Sequence, residues 1–187
     1  MPQALPPFKD FVHLYRNKLK LEPFAGDLVC FDPGGTTGYA IFNNLELKHQ
    51  GQIDTSDRRT SSHRFMEVAG LIEDWSNVRV VIEEYRIYGW KADDHTWSDL
   101  HTAKIIGQIE ALTSLRDIPL FVQGAQQAKS FASDDKLKDW GFWIKGQRHA
   151  RDAIRHGIHH LIFVDPKAEE LKVDLRGRDT GGGNPQK

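Results

Sequence analysis

The chain has 187 residues, 39% of them hydrophobic, and a formal net charge of −1, which suits one domain able to bury its own core. That balance excludes a protein that coats nucleic acid by bulk charge, while leaving room for a local basic surface. A single cysteine, Cys30, excludes a disulfide framework and points to a reducing, cytoplasmic setting, and no segment reads as a signal peptide or a bilayer span.

Phe8, Phe11, Val12, Tyr15 and Leu19 recur at helical spacing and predict an amphipathic helix ending before Pro23. The apolar run 28–31, in which Cys30 reads as a small buried hydrophobe, closes in Asp32. Pro33, Gly34, Gly35, Thr36, Thr37 and Gly38 follow before apolar character resumes at 39–42. The pattern predicts a buried strand, a tight turn and a second strand, with one carboxylate where the first strand leaves the sheet. The three glycines, lacking Cβ, would let the backbone turn and a phosphate come close.

Asn43 and Asn44 supply a turn into a third strand at 46–53, giving three antiparallel strands. A helix is expected at 61–75, with Phe65, Val68, Ala69 and Ile72 on one face, and then a buried strand at 78–83 ending in Glu83 and Glu84. The stretch 85–97 has no period and reads as a loop. Helix 97–116, strand 119–122 and helix 148–163 complete the domain, and charge with Gly181 to Gly183 marks a mobile tail. The organisation expected is an N-terminal helical extension at 1–25, a domain at 26–164 and a tail at 165–187.

A three-strand meander followed by helix, strand, helix, strand, helix is an α/β arrangement, a mixed five-stranded sheet flanked by helices. The first and fourth strands can then lie side by side, so that Asp32 and Glu83 face one another at the sheet edge. His149 and Asp152, on one face of the last helix, can join them. Oxygen ligands with one imidazole suit Mg²⁺ or Mn²⁺ better than structural zinc. Each residue also has a plainer reading: Asp32 as an Asx-turn acid, His149 as a helix-cap or surface histidine, Lys129 and Lys136 as solvated charges. His156, His159 and His160 are read as surface and packing residues. A basic surface is expected between Lys129 and Arg155.

Asp32-Pro33-Gly34, Val80-Val81-Ile82-Glu83, Gln126-Gln127-Ala128-Lys129 and His149-Ala150-Arg151-Asp152-Ala153 stand in the order and approximate spacing of the RuvC-like Holliday-junction resolvases of the ribonuclease H-like superfamily, which the chain resembles over 28–163. The resemblance implies a ribonuclease H-like fold and a Mg²⁺-dependent endodeoxyribonuclease that cuts four-way DNA junctions. It implies two ions, with Mn²⁺ able to substitute, held by Asp32, Glu83, His149 and Asp152. Glu83 is the implied ligand, and strand alternation turns Glu84 the other way. It further implies DNA contacts from Lys129, with Lys136 and Arg148 as weaker ones. Tyr85, Tyr88 and Trp90 would lie in a loop that stacks on bases, with core packing a rival for Tyr85. A homodimer would pair through the helix at 104–115, where Ile105, Ile106, Ile109, Ala111 and Leu112 offer more apolar surface than one packing stripe needs. The N-terminal helix lies outside the usual pattern, and a compact resolvase of this kind would suit a bacteriophage or a bacterium. Two other readings stand beside it. One is a related nuclease acting on forks, flaps or RNA-containing duplexes; the other is an actin-like or sugar-kinase-like phosphate-binding protein, against which the length argues.

Overall fold

Apolar runs too short for helices build the centre of the protein. The structure is a computed structural model and describes residues 5–57, 61–72, 75–85 and 97–164. β1 (Asp27–Asp32), β2 (Thr36–Asn43), β3 (Glu46–Asp54), β4 (Val78–Glu83) and β5 (Leu120–Gln123) form one sheet in the order β3-β2-β1-β4-β5. β1 pairs antiparallel with β2 and parallel with β4, and β4 pairs parallel with β5. Every residue of β1 is buried, as expected for a central strand covered on both faces.

Side chains alternate along each strand and so sort into two cores. Leu28, Cys30, Ala40, Phe42, Val81 and Phe121 face α6 (Arg148–Phe163), joined by Ala153, Ile154, Ile158 and Leu161 of that helix. Val29, Phe31, Ile41, Val80 and Ile82 face the other way, toward Phe65 and Val68 of α2 (Ser61–Ala69) and Ile105 and Ile109 of α3 (Trp97–Leu115). α1 (Phe8–Leu19) sets Phe8, Phe11 and Val12 into the α6 core. Its Arg16 is buried, with Nη1 donating to the Leu161 and Val164 carbonyls at 2.8 and 3.2 Å. A guanidinium there satisfies the orphan carbonyls at the C-terminus of α6 and suits its negative dipole end.

Two glycines let α6 lie close on the sheet. A Cβ on Gly157 would come within 2.4 Å of the Phe42 ring, and one on Gly38 within 2.0 Å of the His149 carbonyl oxygen. Gly38 therefore makes room for the first turn of α6 rather than for a phosphate. The turn expected across 33–38 is also shorter, because β2 begins at Thr36. Thr37 and Thr55, both buried, explain why: their hydroxyls lie 2.9 Å apart, and Thr55 Oγ1 donates to the Gly34 carbonyl at 2.5 Å.

α2 stops at Ala69, short of the expected 75. Gly70 N–H still bonds the Met66 carbonyl, but Leu71 and Ile72 reach back only three residues, to Val68 and Ala69. The tightened end drops Ile72 into the core before a 3₁₀ turn at Trp75–Asn77. On α3 the apolar surplus is partly intramolecular: Ile105 and Ile109 are each 1% exposed in the core, while Leu115 is 86% exposed. Tyr88, Trp90 and the tail expected at 165–187 lie outside the described residues. No described helix is long and apolar enough to cross a membrane.

Candidate active site

Asp32 ends β1 and Glu83 ends β4, and the register that pairs Phe31 with Ile82 sets them level at the same edge of the sheet. Both share strand parity with side chains that face α6, namely Cys30 and Val81. Strand alternation directs Glu84 the other way; its N–H donates to the Gln123 carbonyl at 2.7 Å.

The N-terminus of α6 is pinned over this edge. Gln147, its N-cap, makes no side-chain cap, and Gln52 Oε1 of β3 instead accepts from the His149 N–H at 2.9 Å. His149 Nδ1 then lies 2.7 Å from Asp32 Oδ2. A carboxylate accepts only, so Nδ1 carries a proton toward Asp32 and Nε2 is the ring nitrogen left over for other partners. Asp32 is 7% exposed. Burial and the neighbouring Glu83 charge raise its pKa to about 6, against the lowering effect of His149.

Lys129 comes from α4 (Ala125–Phe131), a short helix directly after β5. Its Nζ lies 3.3 Å from Glu83 Oε2 and 3.3 Å from Asp152 Oδ2, a cation shared by two carboxylates. Burial lowers the Lys129 pKa, but the two acids outweigh it and hold it above the usual lysine value. Burial likewise raises Glu83, and His156 and Lys129 together outweigh that and bring it below the usual carboxylate value. Asp152 Oδ1 accepts from Arg155 Nη1, whose guanidinium also reaches Asp134, on α5 (Asp134–Asp139), and the Ala132 carbonyl.

The structure thus joins Asp32 to His149 directly, and Glu83 to Asp152 through Lys129. Among the described residues no group of three His, Cys, Asp or Glu is close enough to hold a metal ion. One oxygen on each of two acids, Asp32 Oδ1 and Glu83 Oε1, has no hydrogen bond from a described residue. Arg148 is largely exposed, with Nε 3.9 Å from Asp152 Oδ2. Lys136 points elsewhere: its Nζ donates to the Phe131 carbonyl at 2.7 Å and sits over the Phe131 ring. Half-buried Tyr85 lines a cleft of about 700 Å³ with Glu83, Glu84, Val122 and Gly124. Of the expected basic surface, Lys129 and Arg155 are engaged with acids.

His156 and His160, read as surface and packing residues, are both fully buried. His156 Nε2 lies 2.9 Å from Glu83 Oε2. The available signal was spacing: Asp152, His156 and His160 stand four residues apart, one stripe of a helix. Gln52 and Gln123 were missed altogether, and nothing local in the sequence marks them; Arg155 was read only as part of a basic surface.

No protein-family model matches the chain, and no curated protein matches it closely in sequence. Among solved structures it is similar to Thermus thermophilus RuvC in complex with a Holliday junction substrate. That match has a TM-score of 0.58 at 15% identity and covers 74% of this chain and 94% of that one. It is also similar to a second Thermus thermophilus RuvC structure, with a TM-score of 0.53 at 15% identity, covering 73% and 94%. The mixed five-stranded sheet flanked by helices is therefore the ribonuclease H-like fold of RuvC, as the ordered sequence motifs led one to expect.

Proposed function

We propose that the protein is a divalent-metal-dependent, structure-selective endonuclease that hydrolyses phosphodiester bonds in four-way DNA junctions, and that it works as a homodimer. One observation carries the reading: three carboxylates and His149, from β1, β4 and α6, meet at one sheet edge in the fold of RuvC, whose solved complex holds a Holliday junction. The donor set fits a hard cation, being carboxylate oxygens with one imidazole. Burial first, and the Glu83 and Asp152 charges behind it, raise the Asp32 pKa. Asp32, Glu83, Asp152 and His149 would hold Mg²⁺, two ions with Mn²⁺ as a substitute, supplying charge to the scissile phosphate and acidifying a bound water.

The chain's own groups do the rest. Asp32 fixes His149 so that Nε2 faces outward, toward a ligand or a water proton. Lys129, shared between Glu83 and Asp152, offsets part of their charge, and its ammonium would serve as a backbone-phosphate contact at this edge. Arg148, exposed at the mouth, offers a second phosphate contact. Lys136, engaged with Phe131, is a weaker one. Tyr85 stands beside Glu83, and with Tyr88 and Trp90 it would stack on bases that an open junction exposes, worth about 1–3 kcal/mol per base.

Gel assays in Mg²⁺ that compare a four-way junction, a Y-fork, a flap and linear duplex test the reading. The junction is expected to be cut fastest, and chelation of the metal to stop cutting on every substrate. A preference for forks or flaps would move the substrate, and turnover in EDTA would end the metal mechanism. Equal rates on all four would leave a nuclease without structure selectivity.

A further inference from the structure

Behind Glu83 runs a line of buried polar groups that no apolar core requires. His156 Nε2 lies 2.9 Å from Glu83 Oε2, His156 Nδ1 3.2 Å from Gln123 Oε1, and Gln123 Nε2 3.4 Å from His160 Nδ1. Both imidazoles are fully buried and Gln123 is 6% exposed. The sheet register places Gln123 directly opposite Glu83. Burying such groups is unfavourable unless every proton and lone pair finds a partner.

Proton accounting fixes how they are arranged. With the amide oxygen toward His156, that ring needs protons on both nitrogens, and His160 is left with a buried Nε2–H that has no acceptor. Turning the amide over exchanges two atoms of nearly equal size. Gln123 then donates to His156 Nδ1 and accepts from His160 Nδ1–H. Each ring carries one proton, and the partnerless His160 Nε2 is a lone pair, the cheaper group to leave unpaired. His160 suits that role, because burial and the Arg79 and Arg16 charges lower its pKa to about 3.

We infer that His156 is the positioning residue for Glu83: its Nε2–H, held in that tautomer by Gln123 and His160, locks Oε2 in place and leaves Oε1 turned toward the metal site. The inference rests on the reading of Glu83 as a metal ligand. His156 itself is no ligand or base, since it is fully buried and both ring nitrogens are engaged. His149 makes the same contact to Asp32 from a side chain 40% exposed, so one imidazole serves the open side of the site and the other its back wall.

The test is Mn²⁺ binding to the full chain, followed by calorimetry and electron paramagnetic resonance. Thermal melts without metal and nitrogen-15 spectra of the histidine rings accompany it. His156→Leu is expected to weaken Mn²⁺ binding about 10- to 100-fold, the usual effect of losing a partner that orients a ligand. His156→Gln, which returns an N–H near the Nε2 position, is expected to recover most of that loss. The His156 ring of the wild type is expected to show the Nε2–H tautomer. Wild-type affinity in His156→Leu, or a glutamine variant as weak as the leucine one, would overturn the inference while leaving the metal site standing. A wild type that binds no Mn²⁺ would instead remove the metal-site reading and the inference with it. Should His156→Leu fail to fold, Gln123→Leu asks the same question with His156 in place. Weaker Mn²⁺ binding and mixed tautomers are expected there, and unchanged values for both would overturn the inference.

Discussion

Toward α2 and α3 the sheet presents Val29, Phe31, Ile41, Val80 and Ile82, and a buried polar group on that side such as Thr113 returns its hydroxyl to its own helix, at the Ile109 carbonyl. Toward α6 it presents Cys30, Phe42 and Val81 together with buried Asp32 and Gln123. The helix answers with Asp152, Arg155, His156 and His160. The first face is held by apolar volume, which tolerates exchange of one hydrophobe for another. The second adds matched pairs to an apolar cluster that is itself the larger of the two, and removing one partner of a pair leaves the other buried and unpaired. Stability is therefore expected to be shared by the two faces and function to concentrate on the second.

Substitutions on each face can break that comparison. Ile109→Asp puts a charge into the apolar core and is expected to destabilise by about 4 kcal/mol or more, seen as loss of the cooperative melt. A folded monomer from this variant would mean that Ile109 serves a dimer interface instead. Gly38→Ala drives a methyl into the His149 carbonyl. Overpacking of this kind typically costs about 1–3 kcal/mol, and because backbone must yield, His149 is expected to leave Asp32 and nuclease activity to fall. Wild-type cleavage with an unchanged melting temperature would show that the helix seats differently.

Asp32→Asn sharpens the comparison by separating the two properties: cleavage is expected to vanish while stability rises. An acid whose folded pKa is raised to about 6 keeps its proton where the unfolded chain has lost it. Its contribution to stability therefore declines as pH climbs from about 4 to about 6, and the deficit is complete above that. The variant is expected to gain about 2 kcal/mol at pH 8, or about 5 °C in a chain of this size, and almost nothing at pH 4. A gain independent of pH would exclude this cause. Glu84→Gln is the smallest, within about 0.5 kcal/mol and with cleavage unchanged. A dead Glu84→Gln beside an active Glu83→Gln would shift the strand register by one residue.

Strands, their pairing and the level placement of Asp32 and Glu83 were legible because short apolar runs and period-two alternation are local signals. Helix ends were less so: Gly70 and the tightened turn at Leu71 and Ile72 decide where α2 stops, and an apolar Ile72 reads the same on a helix or beyond it. The contact of His156 to Glu83 was not legible, because a histidine-rich helix shows no polar partner until it is docked on the sheet. Gln123 becomes meaningful only opposite Glu83, 40 residues earlier in the chain, and Gln52 only where it meets the first turn of α6. Such partners are set by topology, which no local pattern encodes.

The contact between His149 and Asp32 spans 117 residues of chain. Until α6 has been synthesised, Asp32 lacks this partner, and the sheet face carrying Cys30, Phe42 and Val81 has no helix α6 to cover it. During that interval the nascent protein exposes an adhesive surface of the kind chaperones bind. The helix that completes the site is also the one that ends this exposure, so a fragment ending before residue 148 is expected to aggregate rather than to persist as a soluble, partly working enzyme.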